Sequence, residues 1–176
     1  MEQFKLPYFY NYPPYFTLQP VRDTREKQIQ LWKELIIKYC KTYKIFVVNL
    51  DEEFPLFVNS SIDRKLSHEA RALFLGALVS EGKAEWLDKG HRKCLILWRA
   101  INEWAKVLLN FVKEYGFEDG VMTLEEIQSG DETRGTDLAG IDRIVLVRAI
   151  KVLENSGKAV MFKGSASDDD GVKFSA

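Results

Sequence analysis

An internal repeat limits this chain to two small domains of the same kind. The tripeptide Gly82-Lys83-Ala84 recurs as Gly157-Lys158-Ala159, and each copy follows a predicted helix and opens a predicted strand. Apolar helical stripes led by Trp32 and Trp104 repeat at nearly the same spacing. A period of about 70–75 residues indicates two related domains in tandem. A single domain with accidental similarity would have to produce both matches by chance.

Helix caps and hydrophobic spacing give both domains the same order of elements: helix, strand, helix, helix and hairpin. In the first domain, Asp23 with Glu26 is expected to cap the leading helix, and Ser67 the third helix. In the second domain, Thr123 with Glu126 forms a similar capping box. This order of elements is typical of a winged helix.

We therefore predict an α+β fold class, with two tandem winged-helix domains at residues 23–99 and 100–176. An extended segment rich in proline and aromatic residues, residues 1–22, precedes them. A short helix is expected near residues 59–65, and a glycine-rich loop at residues 129–140.

The N-terminal segment FKLPYFYNYPPYFTLQP, residues 4–20, interleaves seven aromatic rings with four prolines. Prolines oppose a helix and restrict the residues before them to extended geometry. A short extended segment cannot bury so many rings against itself, so the rings need a groove on this chain or on another protein. Each predicted domain has its own apolar helices and hairpin, so we expect the rings to be free for a partner.

The sequence contains no recognisable catalytic or metal-binding constellation. His68 and His91 are its only histidines and lie in no ligand motif, and Cys40 and Cys94 are its only cysteines. The acidic run at residues 168–170 is contiguous, whereas a calcium loop alternates its ligands, so we interpret it as a solvated hairpin tip. We expect no enzymatic activity, no metal and no cofactor. Two distant thiols also favour a reducing, cytoplasmic location.

Nucleic-acid binding is the alternative function, because many winged helices bind DNA through the third helix and the hairpin. Such binding depends on neutralising phosphates with lysine and arginine. The formal net charge is −1, and the candidate recognition helices carry nearly balanced charges, such as Arg71 against Glu69 and Glu81. We therefore expect no direct contact with nucleic acid.

The last predicted helix, residues 141–155, has a second feature besides its core face. The core face carries Val145, Leu146, Ala149, Ile150 and Leu153. On the other side lie two apolar and two basic residues, Ile144, Val147, Arg148 and Lys151. They form either a docking patch for a partner helix or a contact with the first domain, and the sequence does not decide between these.

Several stretches closely resemble one protein family, the small subunit of the endosomal sorting complex ESCRT-II (the vacuolar protein sorting twenty-five family). The most specific stretches are PPYFTLQP at residues 13–20 and EWLDK at residues 85–89. Supporting matches cover nearly the whole chain, at residues 7–10, 23–25, 55–57, 64–66, 98–99, 103–104 and 171–174. Residues 45–54 match no motif of the family.

The resemblance implies tandem winged helices without enzymatic activity, acting as a scaffold in the multivesicular body pathway. Two copies of the chain would join a core made of the two other ESCRT-II subunits. The family's PPxF-type docking motif maps onto Pro13, Pro14, Tyr15 and Phe16, and a preceding Pro-x-x-Tyr element maps onto Pro7 and Tyr10.

The resemblance also implies that the second winged helix recruits the first ESCRT-III subunit. We expect Ile144, Val147, Arg148 and Lys151 to contribute to that surface. The protein would be cytoplasmic and recruited peripherally to endosomal membranes, with indirect membrane contact.

Overall fold

The chain is described by a computed structural model covering residues 4–166 and 169–175. Residues 1–3 of the predicted docking segment and Asp168 of the acidic run lie outside the described residues. The chain divides into two compact units, Met1–Trp98 and Arg99–Ala176. We call them the first and the second domain and describe each by itself.

The first domain has two long helices and a three-stranded sheet. Its elements are α1 (Arg22–Tyr43), β1 (Val47–Asn49), β2 (Val58–Asn59), β3 (Arg64–Lys65), α2 (His68–Ser80), β4 (Ala84–Trp86) and β5 (Lys93–Ile96). The sheet is antiparallel with strand order β1-β5-β4, so the last strand lies in the middle. Because β4 and β5 are consecutive, they form the hairpin of a winged helix.

The region between β1 and α2 differs from the predicted short helix. It contains two 3₁₀ turns, Pro55–Phe57 and Ser60–Ile62, and the small ladder of β2 with β3. The Asn59 side chain accepts a hydrogen bond from the Ser61 amide, which caps the second turn. Local side-chain bonding of this kind competes with a continuing helix, so the chain turns back on itself here.

The second domain has the same order of elements with a true second helix. Its elements are α3 (Ile101–Glu114), β6 (Val121–Thr123), α4 (Leu124–Ser129), α5 (Arg143–Asn155), β7 (Ala159–Phe162) and β8 (Gly171–Phe174). The sheet order β6-β8-β7 matches that of the first domain. The predicted fold of tandem winged helices is therefore confirmed.

Helix starts agree with the predicted caps at two of three positions. The Ser67 hydroxyl accepts a 3.1 Å hydrogen bond from the Ala70 amide, and the Thr123 hydroxyl accepts one of 3.0 Å from the Glu126 amide. The predicted cap at Asp23 is wrong, because α1 begins one residue earlier with Val21 as its flanking residue. Asp23 instead lies in the first turn, where its charge suits the positive end of the helix dipole.

The core of the first domain is centred on Trp32, which is fully buried on α1. Its indole stacks on the Phe74 ring of α2, with centroids 5.5 Å apart and planes 9° apart. The second domain buries a separate set of large side chains, including Leu108, Ile150 and Phe174. Within the described residues, no helix has both the length and the apolarity needed to cross a bilayer.

Candidate partner-docking surfaces

The N-terminal segment is built from two 3₁₀ turns, Tyr8–Asn11 and Pro13–Phe16. We had predicted an extended segment, and this prediction is wrong for the residues in the two turns. Pro7 flanks the first turn and Pro13 opens the second. Proline is tolerated at the start of a helical turn, where its fixed φ fits and an N–H would have no internal partner. Tyr12 keeps extended geometry between the two turns.

Two of the aromatic rings belong to the core of the first domain. Phe16 is 3% exposed and Tyr10 is 5% exposed. The Phe16 ring meets the Trp32 indole edge-on at 5.2 Å, and the Tyr10 ring lies 5.4 Å from Phe16. The expectation that all the rings would be free for a partner is therefore wrong. The first domain completes its own core with this segment.

Hydrogen bonds fix the backbone of the second turn to α1. The Trp32 indole nitrogen donates a 2.8 Å hydrogen bond to the Tyr15 carbonyl. The Gln28 amide donates to the carbonyls of Tyr15 and Thr17 at 3.0 and 2.9 Å, and its oxygen accepts from the Gln19 amide at 3.1 Å. Gln28 is fully buried, so these bonds satisfy a polar side chain that would otherwise be costly to bury.

Sequence reasoning missed the role of Gln28, although a signal was present. It lies one helical turn before Trp32 on the buried face of α1. A polar side chain on an apolar stripe needs a backbone partner, and the neighbouring N-terminal segment was available to supply one.

The first turn is held by the region between β1 and α2. The Tyr10 hydroxyl lies 2.9 Å from the Leu56 carbonyl and 3.0 Å from the Val58 carbonyl, so its hydrogen is shared between them. The Asn59 amide donates a 2.8 Å hydrogen bond to the Tyr10 carbonyl. Burial raises the pKa of Tyr10 to about 12, with a smaller contribution from Tyr39.

The outward side of the segment remains available. The Tyr8 side chain is fully exposed, Tyr12 is 57% exposed, and Pro14 is exposed. Pro7, Pro13 and Tyr15 are half-buried. Among the six predicted docking residues, four therefore present surface to solvent and two, Tyr10 and Phe16, act inside the chain.

The predicted patch on α5 is accessible. Ile144 is 37% exposed, Lys151 is exposed, and Val147 and Arg148 are half-buried. They lie at positions i, i+3, i+4 and i+7 of the helix, so they form one stripe. The opposite stripe, from Val145 to Leu153, is buried as predicted. That the exposed stripe binds a partner stays a prediction.

A second exposed apolar surface lies on the sheet of the second domain. Val121, Lys173 and Val160 form one row across its three strands, and both valines are more than half exposed. Phe162, two residues further along β7, is 44% exposed. The alternation of Val160 and Phe162 along a predicted strand was the sequence signal for this face.

In the first domain, the candidate recognition helix and the hairpin are poorly arranged for binding phosphate. Arg71 lies on α2, the candidate recognition helix. It is 8% exposed and donates a hydrogen bond to the Leu66 carbonyl. Its guanidinium also lies 5.4 Å from the centre of the Phe57 ring. At the hairpin, the Asp88 carboxylate accepts hydrogen bonds from the backbone amides of Arg92 and Lys93. Arg71 therefore supports the fold rather than a surface for nucleic acid.

The described histidine and cysteine side chains lie in structural rather than metal-binding surroundings. Within residues 4–166 and 169–175, no three His, Cys, Asp or Glu side chains are arranged to hold a metal ion. His91 stacks on Trp86 at 4.6 Å with nearly parallel planes. Burial raises the pKa of both Cys40 and Cys94 to about 12, so neither thiol ionises near neutral pH.

The chain is similar along nearly its whole length to one group of proteins. The sequence profile of the ESCRT-II complex subunit family matches residues 9–142. "Vacuolar protein sorting-associated protein 25" of Arabidopsis thaliana is 67% identical, covering 99% of this chain and 98% of that protein. The protein of that name from Xenopus laevis is 42% identical, covering 97% of this chain and 98% of its own length.

Solved structures agree with the sequence relatives. A crystal structure of subunit VPS25 of the endosomal trafficking complex ESCRT-II has a TM-score of 0.83 and 29% identity, covering 96% of this chain and 98% of that one. A chain in a structure of the ESCRT-II complex has a TM-score of 0.81 and 30% identity, with the same coverage. The chain therefore belongs to the ESCRT-II complex subunit family, as the resemblance of its N-terminal motif had indicated.

Proposed function

We propose that this chain is a non-catalytic scaffold subunit of ESCRT-II, which links a core of two other subunits to ESCRT-III. In this role it would act in sorting ubiquitinated membrane cargo, from the cytoplasm and peripherally on endosomal membranes. The support is its family and its similarity to VPS25 in a solved complex that also contains VPS22 and VPS36. By the family resemblance, two copies of the chain would join each core.

One observation carries the docking role: the Pro13–Phe16 turn is held from the inside and exposed on the outside. Phe16 and the Tyr15 carbonyl fix the turn to Trp32, while Pro14 faces solvent and Tyr15 is half-buried. A ligand segment that is already ordered loses less entropy on binding. Protein grooves that recognise proline-rich segments also bind proline and aromatic side chains of this kind.

A double substitution on the outward side tests this role. Pro14→Ala/Tyr15→Ala should weaken binding to the two purified core subunits by about 10-fold or more, because exposed aromatic anchors dominate such interfaces. The matched control is Pro55→Ala/Tyr115→Ala, which removes an exposed proline and a half-exposed tyrosine outside the N-terminal segment. Binding is measured by isothermal titration calorimetry, and folding by thermal melting. Wild-type affinity in the folded test variant would refute this docking role.

The stripe on α5 is our candidate surface for the first ESCRT-III subunit. Ile144 and Val147 offer an apolar centre, and Arg148 and Lys151 offer positive charge at its edge. This combination suits an amphipathic partner helix with acidic flanking residues.

Comparing the two surfaces of the second domain tests this assignment. Ile144→Asp/Lys151→Glu should abolish capture of the first ESCRT-III subunit while leaving core binding intact. Val160→Asp, on the sheet face, is the control and should bind normally. Loss of capture in the sheet variant alone would move the docking site from the helix to the sheet.

A further inference from the structure

A groove of about 440 Å³ lies in the first domain between the N-terminal segment and the outer face of α1. Its apolar lining comes from the segment, from α1 and from the end of α2. The lining residues are Phe4, Phe9, Leu31, Leu35, Ile37 and Leu78. We call this cavity the lysine groove, because four lysines are among the residues that line it.

Positively charged side chains outnumber negatively charged ones around the groove. Lys5, Lys33, Lys38 and Lys83 line the groove with only two carboxylates, Glu34 and Glu81. Glu81 pairs with Lys33 and with Lys83, the latter at 3.6 Å. The hydrogen bond from Lys33 is the main reason that the pKa of Glu81 is lowered.

Lys5 and Lys38 are the other two lysines of the groove. No carboxylate among the described residues lies within 4.0 Å of Lys5 or Lys38, and both lysines are exposed. Both also line a neighbouring cavity of about 470 Å³. Pro7 lines both cavities too, and the fully exposed Tyr8 lines the second. The groove therefore continues directly onto the docking segment.

We infer that the lysine groove binds an acidic segment of the core subunit that also binds the Pro13–Phe16 turn. An apolar side chain of that partner would enter between Leu31 and Phe9, and its carboxylates would meet Lys5 and Lys38. The inference rests on the proposed function and extends it. It adds a second contact behind the proline turn, formed by the side of the segment that faces α1.

The chemistry of the groove selects this occupant. An apolar lining would leave a free anion without partners, whereas a peptide supplies both an apolar side chain and a charge. Positive charge at the edge of an apolar cleft favours acidic partners and raises their association rate.

Charge reversal at Lys5 and Lys38 tests the inference. Lys5→Glu/Lys38→Glu should weaken binding to the purified core pair by about 10-fold at low salt. The loss should shrink as salt rises from about 50 mM to about 300 mM NaCl, because exposed charges are screened. The control, Lys106→Glu/Lys113→Glu on α3, makes the same change in net charge at exposed sites that do not line the groove. Equal affinity of test and control variants would overturn the inference.

Two further arms separate the outcomes. Leu31→Gln leaves all charges in place, so it should weaken binding to the core pair without reducing the dependence of the affinity on salt. Unchanged affinity would rule out an apolar anchor. Lys5→Glu/Lys38→Glu is also tested for sedimentation with anionic phospholipid vesicles. Loss of vesicle binding with full core affinity would identify a membrane as the occupant and overturn the inference. If Pro14→Ala/Tyr15→Ala loses core binding while Lys5→Glu/Lys38→Glu keeps it, the groove inference alone fails.

Discussion

The indole nitrogen of Trp32 donates a 2.8 Å hydrogen bond to the carbonyl oxygen of Tyr15. One residue lies at the centre of the first core, and the other lies in the turn that we propose as the docking motif. The backbone of that turn is therefore positioned by the fold of the domain. Under the proposed docking role, folding and docking would use opposite sides of the same four residues, so substitutions on the two sides should have separable effects.

Replacing the buried glutamine beside Trp32 should loosen the N-terminal segment. Gln28→Leu removes both amide donors and the acceptor for the Gln19 amide. We expect a loss of about 1–3 kcal/mol in the free energy of unfolding, because the partly buried backbone amide of Gln19 loses its partner. Urea denaturation measures the loss, and hydrogen exchange at Gln19 should accelerate. Gln30→Leu on the exposed side of α1 is the control and should cost less than about 0.5 kcal/mol; equal effects would contradict this role of Gln28.

Tyr10 should make the stability of the first domain depend on alkaline pH. Its pKa is raised to about 12 in the folded chain, against about 10 for an unfolded tyrosine. The unfolded state loses its proton first, so this contribution is complete below about pH 10 and is lost as the pH rises toward about 12. We expect Tyr10→Phe to remove this part of the pH dependence.

The measurement is the difference in unfolding free energy between wild type and Tyr10→Phe at several alkaline pH values. Titration of Cys40 and Cys94, which burial also shifts, is common to both proteins and cancels in the difference. Tyr8→Phe is the control, since Tyr8 is fully exposed. A difference that stays constant between about pH 9 and about pH 11 would contradict the prediction.

Two neighbouring substitutions in the docking turn should behave oppositely. Phe16→Ala removes a buried ring that packs on Trp32, and we expect a loss of about 3–5 kcal/mol in stability. Pro14→Ala changes an exposed residue and should cost less than about 1 kcal/mol, while weakening binding to the core subunits. Thermal melting of the isolated chain distinguishes the two. A stable Phe16→Ala variant would mean that the ring does not complete the core.

Removal of residues 1–16 should likewise destabilise the first domain, because both Tyr10 and Phe16 are lost. If the rings were free for a partner, as we expected from the sequence, such a deletion would leave the chain folded. Circular dichroism should show one melting transition shifted to lower temperature and a second unchanged transition from the second domain. An unchanged melting profile would restore the original expectation.

Gly171 and Phe162 should be energetically coupled across the second sheet. A Cβ atom at position 171 would lie 2.5 Å from the Phe162 ring, so Gly171→Ala forces that ring away. We expect a loss of about 1–3 kcal/mol, largely recovered in Gly171→Ala/Phe162→Ala. A double-mutant cycle by urea denaturation measures the coupling, and additive losses would argue against the contact.

Local features were predictable where the signal lies within a few residues. Ser67 and Thr123 cap their helices as expected, and the exposed stripe of α5 could be drawn from helical spacing alone. The cap at Asp23 failed because the chain enters α1 from a segment already fixed by Gln28 and Trp32. The short helix near residue 60 failed for a similar reason, since Asn59 bonds both its own turn and the Tyr10 backbone.

By itself the sequence determined the repeat, the winged-helix order of elements and the family motif, because spacing, capping and motif residues are local properties. Only the tertiary structure decided which aromatic rings are anchors and which are surface. Tyr10 bonds to residues 46 and 48 positions away, and the Tyr15 carbonyl to one 17 positions away. Composition cannot distinguish the buried Phe16 from the exposed Tyr8, since burial depends on what the folded chain brings alongside each ring.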